Sequence, residues 1–184
     1  MSTALLCVDV QGDFLPGGSL AVPDGDAVIA PLVAAAADVD LVVATRDWHP
    51  AGHASFSGTG GPWPEHCVMD TPGAQLHPAI AALAGRVVDK GSDPARDAHS
   101  GFDGTGLAGW LRSRGVERVL VGGLATDYCV LATVLDARAA GFSVGVLTDA
   151  IRAVELRTGD GARALAAMQE AGANLSSAGV SRAG

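Results

Sequence analysis

Residues 118–147 read RVLVGGLATDYCVLATVLDARAAGFSVGVL. The stretch opens on an apolar run at 118–123, passes through a helical segment at 127–140 that stops at Gly141, and closes on a second apolar run at 143–147. Neither run alternates polar and apolar residues, as expected of strands whose sheet is covered on both faces. Strand, helix and strand in about thirty residues make a right-handed parallel crossover. The fold class follows: α/β, with a mostly parallel sheet.

Working outward, strands are predicted at 4–10, 41–46 and Arg86–Lys90, with a weakly signalled last one at Asn174–Ser176. Helices are predicted at 26–37, where Pro31 must kink or delay the start, and at 106–114 and 160–171. Gly115 and Gly172 are placed as stops, like Gly141. Two long loops, 12–25 and 47–78, follow the first two strands. In open α/β sheets ligands bind beyond the carboxyl ends of the strands, and long loops in compact domains usually serve function.

Composition narrows the classes. The 184 residues suit one domain spanning 1–184, and 48% hydrophobic residues suffice for a sizeable core. No apolar run reaches the roughly 18–20 residues of a membrane span. The first basic residue is Arg46, so no secretory leader is expected. A net charge of −8 argues against nucleic acid as a partner. Cys7, Cys67 and Cys129 make an odd number without framework spacing, which points to free thiols and a cytoplasmic protein. The twelve basic residues include a single lysine, Lys90. In a chain that otherwise uses Arg, that lysine marks a place where a compact ammonium is required.

Three residues at predicted strand ends carry chemistry. Asp9 sits among Leu6, Val8 and Val10, where a carboxylate is costly without a partner or a task. Lys90 closes Val-Val-Asp-Lys at the same sheet edge and can meet it. Cys129 follows the fourth strand, in the first turn of a helix with Thr126 as its N-cap. Unpaired N–H groups there favour a thiolate and can hold an oxyanion. Asp47-Trp48-His49-Pro50-Ala51-Gly52-His53 and Trp63-Pro64-Glu65-His66-Cys67 form a second constellation. Its carboxylate and imidazoles suit a divalent ion such as zinc, iron or manganese, with Cys67 a further candidate ligand. The same histidines can equally serve as hydrogen-bonding struts.

With Val8-Asp9-Val10-Gln11-Gly12-Asp13-Phe14, the Lys90 strand end and Ala125–Val130 set beside these two segments, the chain resembles the nicotinamidases of the isochorismatase-like cysteine hydrolase superfamily. The resemblance runs from residue 4 to about 172. It implies a three-layer α/β/α fold with a six-stranded sheet, and amide hydrolysis by a triad of Asp9, Lys90 and Cys129. It also implies one divalent metal ion, zinc before iron or manganese, on Asp47, His49 and His66, which fixes the pyridine nitrogen. A cis peptide before Ala125 is implied, placing the Ala125 and Cys129 N–H groups as oxyanion hole, with Phe14, Trp63 and Tyr128 around the ring. The partner is then a small amide, and homo-oligomerisation stays open. His53 lies in the motif without an assigned role, and His99 stands where a Tyr is common. The alternatives are another small-amide or carbamoyl amidase, which would lack the metal loop, a metal-water hydrolase with a structural Cys129, and a phospho-acceptor signalling domain.

Overall fold

The computed structural model describes residues 2–178. Six strands form one sheet: β1 Ser2–Val8, β2 Leu41–Asp47, β3 Arg86–Lys90, β4 Val116–Leu124, β5 Ser143–Arg152 and β6 Asn174–Ser176. Their order is β3-β2-β1-β4-β5-β6, and every pairing is parallel. The order reverses between β1 and β4, so the crossovers leave in opposite directions there and open a crevice at the strands' carboxyl ends.

Side chains alternate along each strand and feed two cores. Ala4, Leu6 and Val8 of β1 face the side covered by α3 (Leu107–Ser113), α4 (Leu131–Ala139) and α5 (Asp160–Glu170), which contribute Leu107, Leu111, Val134 and Met168. Leu5 and Cys7 face the side covered by α1 (Ile29–Ala36) and α2 (Pro78–Leu83), which contribute Leu32, Ala35 and Ile80. The result is the three-layer arrangement that the resemblance implied.

Several predicted boundaries move. β1 ends at Val8, because Asp9 turns into the left-handed region with φ 49° while its N–H still donates to Thr45 O at 3.1 Å. The helix predicted from residue 26 begins with a tight 3₁₀ turn at Gly25–Val28, and α1 follows with Pro31 in its first turn, where no N–H is missed. α2 was not foreseen; six residues are too few to show a period. β5 runs on to Arg152, past a register shift opposite Val121–Gly123. Gly123 stands at φ 124°, and a Cβ there would lie 2.0 Å from Val8 O. Only glycine lets β4 press this closely on β1 one residue before Asp9.

Candidate active site

Four neighbouring strands deliver one polar residue each to the crevice. Asp9 follows β1, Asp47 and Lys90 end β2 and β3 as register partners, and Cys129 follows β4. All four are buried.

Lys90 is the hub. Its Nζ lies 2.8 Å from Asp9 Oδ2, 2.5 Å from Asp47 Oδ1 and 3.4 Å from Cys129 Sγ, and it donates to Ala98 O at 3.2 Å. A guanidinium has no room for such a compact set of contacts, which is the physical content of the lone lysine. Burial alone would strip its proton, but Asp47 and Asp9 outweigh that and hold the ammonium charged. The contact with Asp47 was not foreseen. It ties the cysteine site to the metal-type loop through one cation.

The two carboxylates respond differently to the same lysine. Burial pushes Asp9 up, with Asp47 adding to the rise and Lys90 and the Thr45 hydroxyl (2.7 Å) opposing it. Asp47 is also buried, yet Lys90 and His49 together hold it below the usual carboxylate range. Asp9 is therefore the more ready of the pair to accept a proton.

Cys129 occupies a wide helical turn at Thr126–Val130, in which the Tyr128 and Val130 N–H groups both donate to Ala125 O at 3.1 Å. The N-cap is Ala125, not Thr126, because the extended residue before the turn is Ala125, and Thr126 makes no capping bond. The Leu124–Ala125 peptide is cis. Burial raises the Cys129 thiol far above its ordinary value, and Asp9 and Asp47 add to the rise against Lys90. Ligand atoms of Asp9, Asp47 and Cys129 lie within 4.8 Å of one another, which leaves Asp9 placed to take the thiol proton.

Beside this lies the second constellation. Ligand atoms of Asp47, His49 and His66 also fall within 4.8 Å of one another. His49 Nδ1 bonds Gly91 O at 2.8 Å and His66 Nδ1 bonds Pro64 O at 2.8 Å, so each ring carries its proton on Nδ1 and presents the Nε2 lone pair. His49 Nε2 is buried without a hydrogen-bond partner, 3.6 Å from Asp47 Oδ2. A lone pair facing a carboxylate is satisfied by a cation, and two imidazoles with one carboxylate suit a divalent ion. His53 stacks on His49 (centroids 4.1 Å apart), while its own nitrogens engage Ser55 Oγ at 2.8 Å and Arg96 O at 3.3 Å. Cys67 stands outside the ligand groups; its thiol is pushed up by burial, and its N–H donates to Asp13 at 2.7 Å.

One pocket joins the two constellations. Phe14, Trp63 and Tyr128 line it, together with Ala125, Cys129, Asp47 and His66. Leu20, Val22, Leu124, Val154, Asp97 and His99 complete the wall. Sequence reasoning missed Gln11, which is fully buried and clamps both backbone ends of Asp47: its Nε2 donates to Asp47 O and its Oε1 accepts from Asp47 N, each at 2.8 Å. An amide amid apolar residues, Val10-Gln11-Gly12, was the available signal. Thr45 and Asp97 gave none.

Residues 3–179 match the family model described as the isochorismatase domain. The chain is 40% identical over 206 residues to a nicotinamidase of Escherichia coli (strain K12), covering 94% of this chain and 93% of that one. Its fold superposes with a TM-score of 0.90 on the pyrazinamidase of Pyrococcus horikoshii in complex with zinc, at 44% identity, over 96% of this chain and 99% of that one. It superposes with a TM-score of 0.91 on PnC1 from L. infantum in complex with nicotinate, at 41% identity, over 97% and 93% of the two chains.

Proposed function

The chain belongs to the isochorismatase domain family, and from that premise we propose that it hydrolyses nicotinamide to nicotinate and ammonia through a thioester on Cys129. The observation that carries the reading is the shared pocket. An aromatic cleft has a thiol beside a carboxylate and an ammonium, and close by an Asp47–His49–His66 trio fit for a divalent ion. The second reading, an amidase for a ring-free carbamoyl compound, leaves that trio without a task.

Asp9 takes the proton of the Cys129 thiol as Sγ bonds to the carboxamide carbon. The carbonyl electron pair moves onto oxygen, which the N–H groups of Ala125 and Cys129 receive. Asp9 passes the proton to the nitrogen, the C–N bond breaks and ammonia leaves a thioester. Asp9 then takes a proton from water as its oxygen bonds to the carbonyl carbon. The C–S bond breaks, the Asp9 proton returns to sulfur, and the carboxylic acid departs, giving its remaining proton to solvent. Lys90 keeps its charge throughout and stabilises the carboxylate and the transient thiolate in turn. Asp47, His49 and His66 would hold a divalent ion, zinc by its donor set, which would supply a Lewis-acid contact for the ring nitrogen and so help to orient the carboxamide.

A panel of small amides, read by ammonia release with and without chelator, tests this. Nicotinamide should be the best substrate, benzamide should be poor for want of a ring nitrogen, and Cys129→Ala should be inactive with its fold intact. Benzamide cleaved as well as nicotinamide would remove the ring-reading role of the metal. Retention of more than about a tenth of the activity by Cys129→Ala would remove the thioester.

A further inference from the structure

Besides Lys90 and Asp9, Cys129 has a further polar neighbour that the mechanism above leaves unused. His99 Nδ1 lies 3.8 Å from Cys129 Sγ, within the reach of a hydrogen bond to sulfur, and the ring packs against Tyr128 with centroids 5.9 Å apart. Its Nε2 faces Asp97 Oδ2 at 3.8 Å, and both residues line the pocket. The two flanks of the sulfur differ in exposure. Lys90 and Asp9 are sealed beneath it with side-chain exposures of 0%, whereas the His99 side chain is 44% exposed.

We propose that His99 is a specificity-determining residue that accepts an N–H from the departing nitrogen of the carboxamide, with Asp97 as its positioning residue. The inference rests on the amide-hydrolase reading of this pocket. A tetrahedral intermediate at the carboxamide carbon has four substituents. Sulfur comes from Cys129, the oxyanion turns to the Ala125 and Cys129 N–H groups, and the ring fills the aromatic cleft. The nitrogen is left to face the remaining polar wall, which is His99, on the open side through which ammonia must depart.

The tautomer suits the task. A carboxylate 3.8 Å from Nε2 makes that nitrogen the favourable one to carry the ring proton, which leaves the Nδ1 lone pair toward the reacting centre. Nδ1 can then accept one N–H, fixing the nitrogen's rotation so that its own lone pair is free to take the proton from Asp9. An ester has no N–H to offer. The site is therefore biased toward carboxamides over esters of the same acid, although esters are intrinsically easier to cleave.

The test compares kcat/KM for a carboxamide and for the methyl ester of the same acid. This parameter reports steps up to loss of the leaving group, so slow thioester hydrolysis does not enter it. The acid is the one whose amide the wild type cleaves fastest in a panel, nicotinamide being expected. His99→Phe keeps a ring against Tyr128 but has no acceptor, and the amide-to-ester ratio should fall about tenfold, as loss of one neutral hydrogen bond predicts. His99→Asn places a carbonyl oxygen near the position of Nδ1 and should hold the ratio within about threefold of wild type, while Asp97→Asn should fall between. A ratio unchanged in His99→Phe, with both substrates intact or both impaired together, would overturn the inference and leave His99 as wall only. A panel won by an amide other than nicotinamide would overturn the substrate reading while the ratio still judges His99. Cleavage of no amide at all would overturn both.

Discussion

Lys90→Met should unsettle the fold as well as the chemistry, and the structure sets the size of the effect. Methionine fills the lysine's volume but leaves the Asp9 and Asp47 carboxylates, with oxygens within 4.8 Å, facing each other without a cation. Two unit charges at that distance repel by about 3.5 kcal/mol at an effective dielectric constant of about 20. That agrees with the roughly 3–5 kcal/mol typical of breaking a buried ion pair from one side. The assay is urea denaturation of chelator-treated protein, so that no ion neutralises Asp47. Near pH 7.5 the variant should lose about 3–5 kcal/mol relative to wild type. A carboxylate whose folded pKa is raised binds its proton more tightly folded than unfolded, so it gains stability as pH falls. The deficit should therefore shrink by about half near pH 5. Asp9→Asn added to Lys90→Met removes one of the opposed charges and should recover most of the loss. A Lys90→Met deficit under about 1 kcal/mol, or a double variant whose losses simply add, would refute the charge accounting.

Three other outcomes follow from the geometry. Asp9 acts as its anion and burial raises its pKa, so kcat/KM should fall with decreasing pH at a value above that of an ordinary aspartate; a profile flat down to about pH 4 would count against Asp9 as the base. Gly123→Ala must accommodate a Cβ 2.0 Å from Val8 O at φ 124°, and should cost more than about 2 kcal/mol by denaturant titration; a cost within about 0.5 kcal/mol would mean that β4 can move off β1 freely. Gln11→Leu keeps the volume but unpairs both backbone ends of Asp47, and should lower metal retention about tenfold or more in a chelator competition while leaving Cys129 in place; unchanged retention would show that β2 alone positions the ligand.

Much of this was legible in the sequence because burial on both faces writes itself as unbroken apolar runs, and a polar residue at the end of such a run stands out. Asp9, Lys90 and Cys129 were visible on that ground; residue type and spacing marked the segments 47–53 and 63–67, and only the resemblance narrowed them to Asp47, His49 and His66. Residues that support them were not. Thr45 looks like any β-branched strand residue, and Asp97 like any loop acid, until the fold brings one to Asp9 and the other to His99. What opposes the Cys129 thiolate was hidden for a related reason. A helix start and a nearby lysine are local features, whereas the burial and the two carboxylates that outweigh them arise only once four strands are assembled. The end of β1 was misplaced because the apolar pattern of Val8-Asp9-Val10 continues past the point where the backbone turns.

That assembly has a kinetic side. The polar cluster takes Asp9 from the end of β1, Asp47 from β2, Lys90 from β3 and Cys129 from the turn after β4, and no two of them are near neighbours in the chain. Parallel strands close only through long crossovers, so these contacts are among the last that a collapsing chain can afford to make. An intermediate with its helices formed and one strand out of register would have near-native secondary structure and no site, since a slip of one residue turns each strand-end side chain to the other face. Recovered catalysis during refolding is thus a strict clock for completion of the central sheet: it can coincide with the last optical change or trail it, but it cannot run ahead.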